Sequence, residues 1–351
     1  MHSIRWELYP LVAHFQPAHD WLDVQSKLGL EKNTVEAYGR GLNDFLTFCQ
    51  RTEISVIEAT KADIASFVEE MAHRPNPKGD NVRYLHSGVG LANATMQQRL
   101  TIVRLFFDFL IETDLRLDQH NPVGKGKFTP GRAFAGKRER GLLPHYELLP
   151  WIPGDDEWES ILEATAMEPI RNQLLLLFAY DGALRRSEVV ALEMRDMVIP
   201  HQQITLRAEI AKNGSGRVVM FGDVARELLR RYLDERAEAG IKGGLLFRSA
   251  SNRNRCAGIT PESWDKIVAR IADCVGLQHR FTTHTTRHLR LTDLARTGMD
   301  LHAIAQYAGH HSLETTKIYI KLSGRETAER VRTSMQTLDK RLERLLEGGA
   351  H

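Results

Sequence analysis

Between residues 284 and 319 the chain reads His284-Thr285-Thr286-Arg287-His288, then Tyr307-Ala308-Gly309-His310-His311-Ser312, then Thr315-Thr316-Lys317-Ile318-Tyr319. These residue types suit chemistry on a phosphodiester. Arginine presents a planar fork of donors to phosphate oxygens, histidine moves protons near neutral pH, and tyrosine can become a covalent oxygen nucleophile. No metal or cofactor is needed for that chemistry, and none is expected. His284 and His288 stand four apart, the spacing of a helical metal pair, but no third ligand or Glu-bearing zinc motif accompanies them.

A second basic pair lies far earlier, in Gly182-Ala183-Leu184-Arg185-Arg186-Ser187-Glu188, directly after a strongly apolar run. Neighbouring residues on a helix point about 100° apart, so only one of the two arginines faces a given pocket. Glu188 can neutralise it. The alternative is a surface arginine pair with an ordinary salt bridge.

Hydrophobic spacing defines the elements that must position these residues. From Asn33 to about Arg116 the pattern is helical. Thr34 can cap a helix bearing Val35, Tyr38, Leu42, Phe45, Leu46 and Cys49 on one stripe. A second helix spans residues 61–72 and a third 95–112, the latter with Gln97, Gln98, Arg99 and Arg104 off its apolar face. The stretch 74–90, with its prolines and glycines, reads as a loop. Residues 124–141 are rich in glycine and base: Lys125, Lys127, Arg132, Lys137, Arg138 and Arg140 against the single acid Glu139. Two readings fit, a flexible linker over a phosphate backbone or a solvated linker that touches nothing. Gly131 to Lys137 nearly matches a P-loop, but Arg138 replaces the required hydroxyl residue and no apolar strand precedes it.

Beyond residue 155 the pattern predicts helices over 157–167, 170–181, 223–239, 260–275, 284–297, 301–308 and 312–320. Short strands are predicted at 197–199, 203–207 and 217–221. The fold class is therefore mainly α: a helical N-terminal domain and a mixed α+β domain with a small antiparallel sheet. The expected divisions are 1–120, a basic linker 121–150, 151–325, and an amphipathic C-terminal helix in 326–351 carrying Val331, Met335, Leu338, Leu342 and Leu345. That helix can pack on its own domain or on a neighbouring subunit.

Whole-chain composition sets the limits. At 351 residues two domains are expected. A net charge of +2 leaves any affinity for nucleic acid to local clustering. Cys49, Cys256 and Cys274 are odd in number and far apart, which argues against a disulfide framework and fits a reducing cytoplasm. No apolar run is long enough to span a bilayer.

Taken in order, Gly-x-Leu-Arg-x-Ser-Glu, a lysine between strands, His-x-x-Arg, Gly-His and a tyrosine nine residues on resemble the tyrosine recombinase (phage integrase) family. The helical first domain is similar to that family's core-binding domain, down to the closing Asn121-Pro122-Val123, so the resemblance runs from about residue 20 to 325. It implies Arg185, Lys212, His284, Arg287 and His310 as catalytic residues and Tyr319 as the nucleophile, where Tyr307 and Tyr232 are rivals. His310 would bond the phosphate, His284 take the phenol proton and Lys212 protonate the leaving oxygen. Thr286 stands where the family commonly has leucine, a change of packing that leaves the role of Arg287 intact.

The resemblance further implies double-stranded DNA as partner, contacted by Gln97, Arg99 and the basic linker. It implies a homotetramer on two DNA sites, with room for partner recombinases or accessory proteins. A mobile-element role is preferred over chromosome resolution. A type IB topoisomerase-like enzyme and a catalytically inactive DNA-binding regulator are the competing readings.

Overall fold

The structure, a computed structural model, describes residues 3–74, 90–124, 149–212, 214–249, 257–277, 279, 281–324, 331–332, 335 and 339. The chain divides into two compact units, 1–147 and 148–351.

The described residues of the first unit form helices and turns without a strand: α1 (Pro10–His14), α2 (Gln16–Lys27), α3 (Lys32–Arg51), α4 (Lys61–His73) and α5 (Asn93–Glu112). In α3 the buried residues Val35, Leu42, Phe45, Leu46 and Cys49 recur at helical steps and form the stripe read from the sequence. Against it pack Phe67 of α4 and Phe106 and Phe107 of α5, all fully buried. Thr34 does not cap α3. The helix begins earlier at Lys32, so Thr34 lies in its first turn and donates its amide to the Glu31 carbonyl. Helices α1 and α2 were not expected; short polar segments give weak periodicity, and Trp21 declares itself only by stacking on Tyr38 and meeting Phe106 edge-on. Asn121 closes the unit, donating to the Arg104 carbonyl and Asp108 while accepting from the Val123 amide.

The second unit contains α6 (Asp155–Ala166), α7 (Ile170–Asp181), α8 (Arg186–Val190), β1 (Met197–Val198), β2 (Gln203–Leu206), β3 (Arg217–Met220), α9 (Asp223–Glu238), α10 (Pro261–Val275), α11 (Thr283–Arg296), α12 (Leu301–Ala308) and α13 (Lys317–Ser323). Helix α7 is its centre. Leu174, Leu175, Leu176, Phe178 and Ala179 are all buried, because α6, α9 and α11 pack around it. The sheet is antiparallel in the order β1-β2-β3, with Ile204 opposite Val219 and Leu206 opposite Arg217.

The helix expected over 312–320 is two pieces, a 3₁₀ turn at Leu313–Thr315 and then α13. The break falls at Thr316, which is fully buried and caps both pieces. Of the expected C-terminal helix only Val331, Arg332, Met335 and Asp339 are described, all helical, with Val331 and Met335 exposed. The basic linker residues Lys125, Lys127, Arg132, Lys137, Arg138 and Arg140 lie outside the described residues. Among the described residues no helix is long and apolar enough to cross a membrane.

Candidate active site

The turn from α7 to α8 places the first arginine. Ala183 there adopts a left-handed conformation, φ 46°, a strained state for a residue with a side chain. Arg185 and Arg186 then diverge as neighbours must. Arg186 is half exposed and paired with Asp265, whereas the Arg185 side chain turns inward and is 17% exposed.

Glu188, fully buried, sits beneath Arg185. Its carboxylate accepts from the Arg185 amide and Nη1, each at 2.8 Å, and from Arg217 Nη1 and Nη2 at 2.9 and 2.8 Å. Burial alone would raise this carboxyl's pKa, but the Arg217 and Arg185 donors overcome it and hold the group at about 2. Arg185 Nη2 also donates to the Gly309 carbonyl at 3.1 Å, tying residues 124 positions apart.

Helix α11 supplies His284 and Arg287. Its start is fixed by a reciprocal cap in which Thr285 donates its amide to Thr282 Oγ1 and Thr282 donates its amide to Thr285 Oγ1. His284 is exposed in the first turn, at the rim of a cleft of about 370 Å³ lined also by Arg186, Asp265 and Phe281. Partial burial, and then the Arg287, Arg185 and Lys212 cations, lower its pKa. One turn on, Arg287 is buried and donates to the Ala183 carbonyl, the Ala308 carbonyl and His310 Nε2. Burial, with Arg185 and Arg217 nearby, brings this guanidinium down to about 10. Thr286, at the departure from the family pattern, is fully buried and donates to the Thr283 carbonyl.

His310 follows the left-handed Gly309, φ 64°, that ends α12. Its ring stacks near Tyr319 with centroids 6.1 Å apart and planes 10° from parallel. The His288 ring also lies 5.6 Å from that of Tyr319, at 41°, and meets His284 edge-on at 4.4 Å. Burial and then neighbouring positive groups push both His288 and His310 down to about 4, so both are neutral near pH 7. Tyr319 is 3% exposed; burial raises its pKa while Arg287 and Arg185 pull it back. Lys212 is exposed in the turn between β2 and β3. The rival tyrosines are committed elsewhere: Tyr307 donates to the Asp181 carbonyl and Tyr232 to that of Leu246.

Thus Arg185, Arg287, His310 and Tyr319 are assembled in one place, with His284 and Lys212 at its exposed edge. Residues 154–326 match the Phage integrase family, and residues 21–114 match its N-terminal SAM-like domain. The chain belongs to the tyrosine recombinase (phage integrase) family.

Among recombinases of this family, the chain is 25% identical to tyrosine recombinase XerD of Oceanobacillus iheyensis, covering 83% of this chain and 88% of that one. It is 28% identical to tyrosine recombinase XerC of Roseiflexus sp., covering 87% and 88%. In fold it resembles the XerH site-specific recombinase bound to palindromic difH substrate, with TM-score 0.63 and 21% identity over 85% of this chain and 79% of that one. It also resembles the Tn1549 transposon integrase in complex with circular intermediate DNA, with TM-score 0.59 and 16% identity over 89% and 94%.

Two residues of this cluster were not singled out from the sequence. Arg217 opens β3 on the same face as buried Val219, and a charge at an inward strand position requires a buried counter-ion. That alternation was the available signal. Thr316 gave none, because a threonine beside Thr315 carries no mark of which hydroxyl points inward. In the first unit, Arg99 is turned toward Asp44, with which it forms an ion pair, and Gln97 is half-buried.

Proposed function

We propose that this chain is a site-specific DNA recombinase that cuts and rejoins strands through Tyr319. One observation carries the reading: residues more than a hundred positions apart converge on the space beside the Tyr319 ring, with Arg185 bonded to the Gly309 carbonyl and Arg287 to the Ala183 carbonyl and His310. A phosphate there takes charge-assisted bonds from both guanidiniums, which stabilise the added negative charge of a pentacoordinate transition state.

The Tyr319 oxygen forms a bond to phosphorus as the bond to the 5′ oxygen breaks. His284, whose pKa is lowered by partial burial and its cationic neighbours, takes the phenol proton. Lys212 returns a proton to the 5′ oxygen. The 3′-phosphotyrosyl bond conserves the energy of the cut bond, so a second 5′ hydroxyl reverses the sequence on another strand without ATP. Duplex DNA is held by both units and the basic linker. Four protomers on two sites supply the four cleavages of a full exchange, in the setting of a mobile element and in the cytoplasm.

The test is a suicide DNA substrate whose cleaved 5′ end diffuses away. The wild type should form a denaturant-resistant protein–DNA adduct in EDTA, and Tyr319→Phe should form none. An adduct that survives in Tyr319→Phe would remove Tyr319 as nucleophile. No adduct with the wild type on its own target site would favour a DNA-binding regulator.

A further inference from the structure

The His310 imidazole is held at both nitrogens. Arg287 Nη2 lies 3.0 Å from Nε2, and Thr316 Oγ1 lies 2.9 Å from Nδ1. A guanidinium has donors and no acceptor, so Nε2 must present its lone pair. The ring proton is then on Nδ1, and the Thr316 hydroxyl must accept it. An imidazolium is excluded by the donor facing Nε2, and a hydroxyl donating to Nδ1 would leave a neutral ring without its proton.

Thr316 is fully buried, and its backbone is closed as well. Its amide donates to the Leu313 carbonyl at 2.9 Å, and its carbonyl accepts from the Tyr319 amide at 3.0 Å. The residue that receives the His310 proton therefore also starts the turn that carries Tyr319. With the opposite tautomer, an Nε2–H would meet the Arg287 N–H groups head-on, and the guanidinium could not keep its place between the Ala183 and Ala308 carbonyls.

We infer that Thr316 is a positioning residue: its hydroxyl selects the Nδ1–H tautomer of His310, which lets His310 accept from Arg287 and aligns that guanidinium beside Tyr319. In the DNA-free protein His310 is thus an acceptor toward Arg287, and it can donate to a phosphate from Nε2 only after that bond is released and Nε2 has gained a proton. The inference rests on the recombinase reading for its kinetic consequence, and on the site geometry alone for the tautomer.

The test compares Thr316→Val, which keeps the shape and loses the hydroxyl, with Thr316→Ser, which keeps it. Nitrogen-15 NMR of the histidine side chains, with His310→Gln to assign the signal, should show the Nδ1–H form in the wild type and in Thr316→Ser. In Thr316→Val it should shift toward Nε2–H. Single-turnover adduct formation at saturating suicide substrate should fall about 10- to 100-fold in Thr316→Val and recover to within a few-fold in Thr316→Ser, while gel-shift affinity stays within about two-fold.

A wild-type His310 in the Nε2–H form would overturn the inference even if Thr316→Val failed to fold. So would a folded Thr316→Val with wild-type cleavage, or one whose loss of cleavage matched its loss of DNA affinity. Absence of any wild-type adduct would instead overturn the recombinase reading, and the NMR measurement would still decide the tautomer.

Discussion

Glu188 carries the electrostatic balance of the site. It is the buried anion that the Arg185 and Arg217 guanidiniums share, and it lets two cations stand close together before any phosphate arrives. The site is thereby sensitive to acid in two stages. His288 and His310 titrate near their ordinary 6.5 in the unfolded chain and at about 4 in the folded one. Between those values the unfolded chain binds the extra proton, so stability should drop as pH falls from about 6.5 to about 4, by up to about 1.4 kcal/mol per pH unit for each histidine. Glu188 acts lower. Its contribution is present above its unfolded 4.5 and is lost as pH falls toward about 2. Urea unfolding at successive pH values should show both stages, and Glu188→Gln should remove the lower one. A flat stability between pH 7 and 4.5 would contradict the neutral, buried histidines.

Among the elements, the end of α12 does the most to join distant parts of the site. Gly309 is left-handed, and a Cβ added there would lie 3.1 Å from Arg217 Cδ and Nη1. Its carbonyl holds Arg185 at the same time. Gly309→Ala should cost about 1 kcal/mol or more in backbone strain and also displace Arg217. Thermal unfolding should register the first effect, and a fall in adduct formation at saturating DNA should register the second. Helix α13 shows a different economy. At seven residues it is too short to persist alone, and burial of Tyr319 against α11 and α12 holds it in place. If Tyr319, 3% exposed, is the nucleophile proposed, its hydroxyl has to be uncovered before it meets a phosphate.

For the whole molecule, the mechanism proposed gives each chain one nucleophile, Tyr319, whereas exchange between two duplexes needs four. Assembly is therefore part of the function proposed. The amphipathic C-terminal segment, whose described Val331 and Met335 are exposed, is the candidate for contact between protomers. Truncation after Gly324 should leave single-site gel shifts unchanged and reduce complexes on paired sites. Unimpaired paired-site assembly would return that segment to its own domain.

The sequence by itself determined the helical stripes of α3 and α5, the central α7, the three-stranded sheet, and the order of Arg185, Lys212, His284, Arg287, His310 and Tyr319. Those features are local: a period along the chain, or a residue type at a motif position, is written in consecutive letters. Only the tertiary structure decided that Arg185 faces inward while Arg186 does not, that Arg217 completes the neutralisation of Glu188, and that Thr316 rather than Thr315 reaches His310. Each depends on groups brought together from separate elements inside a poorly solvated site. There, every buried donor and charge must find a partner, and the identity of that partner is a property of the packing.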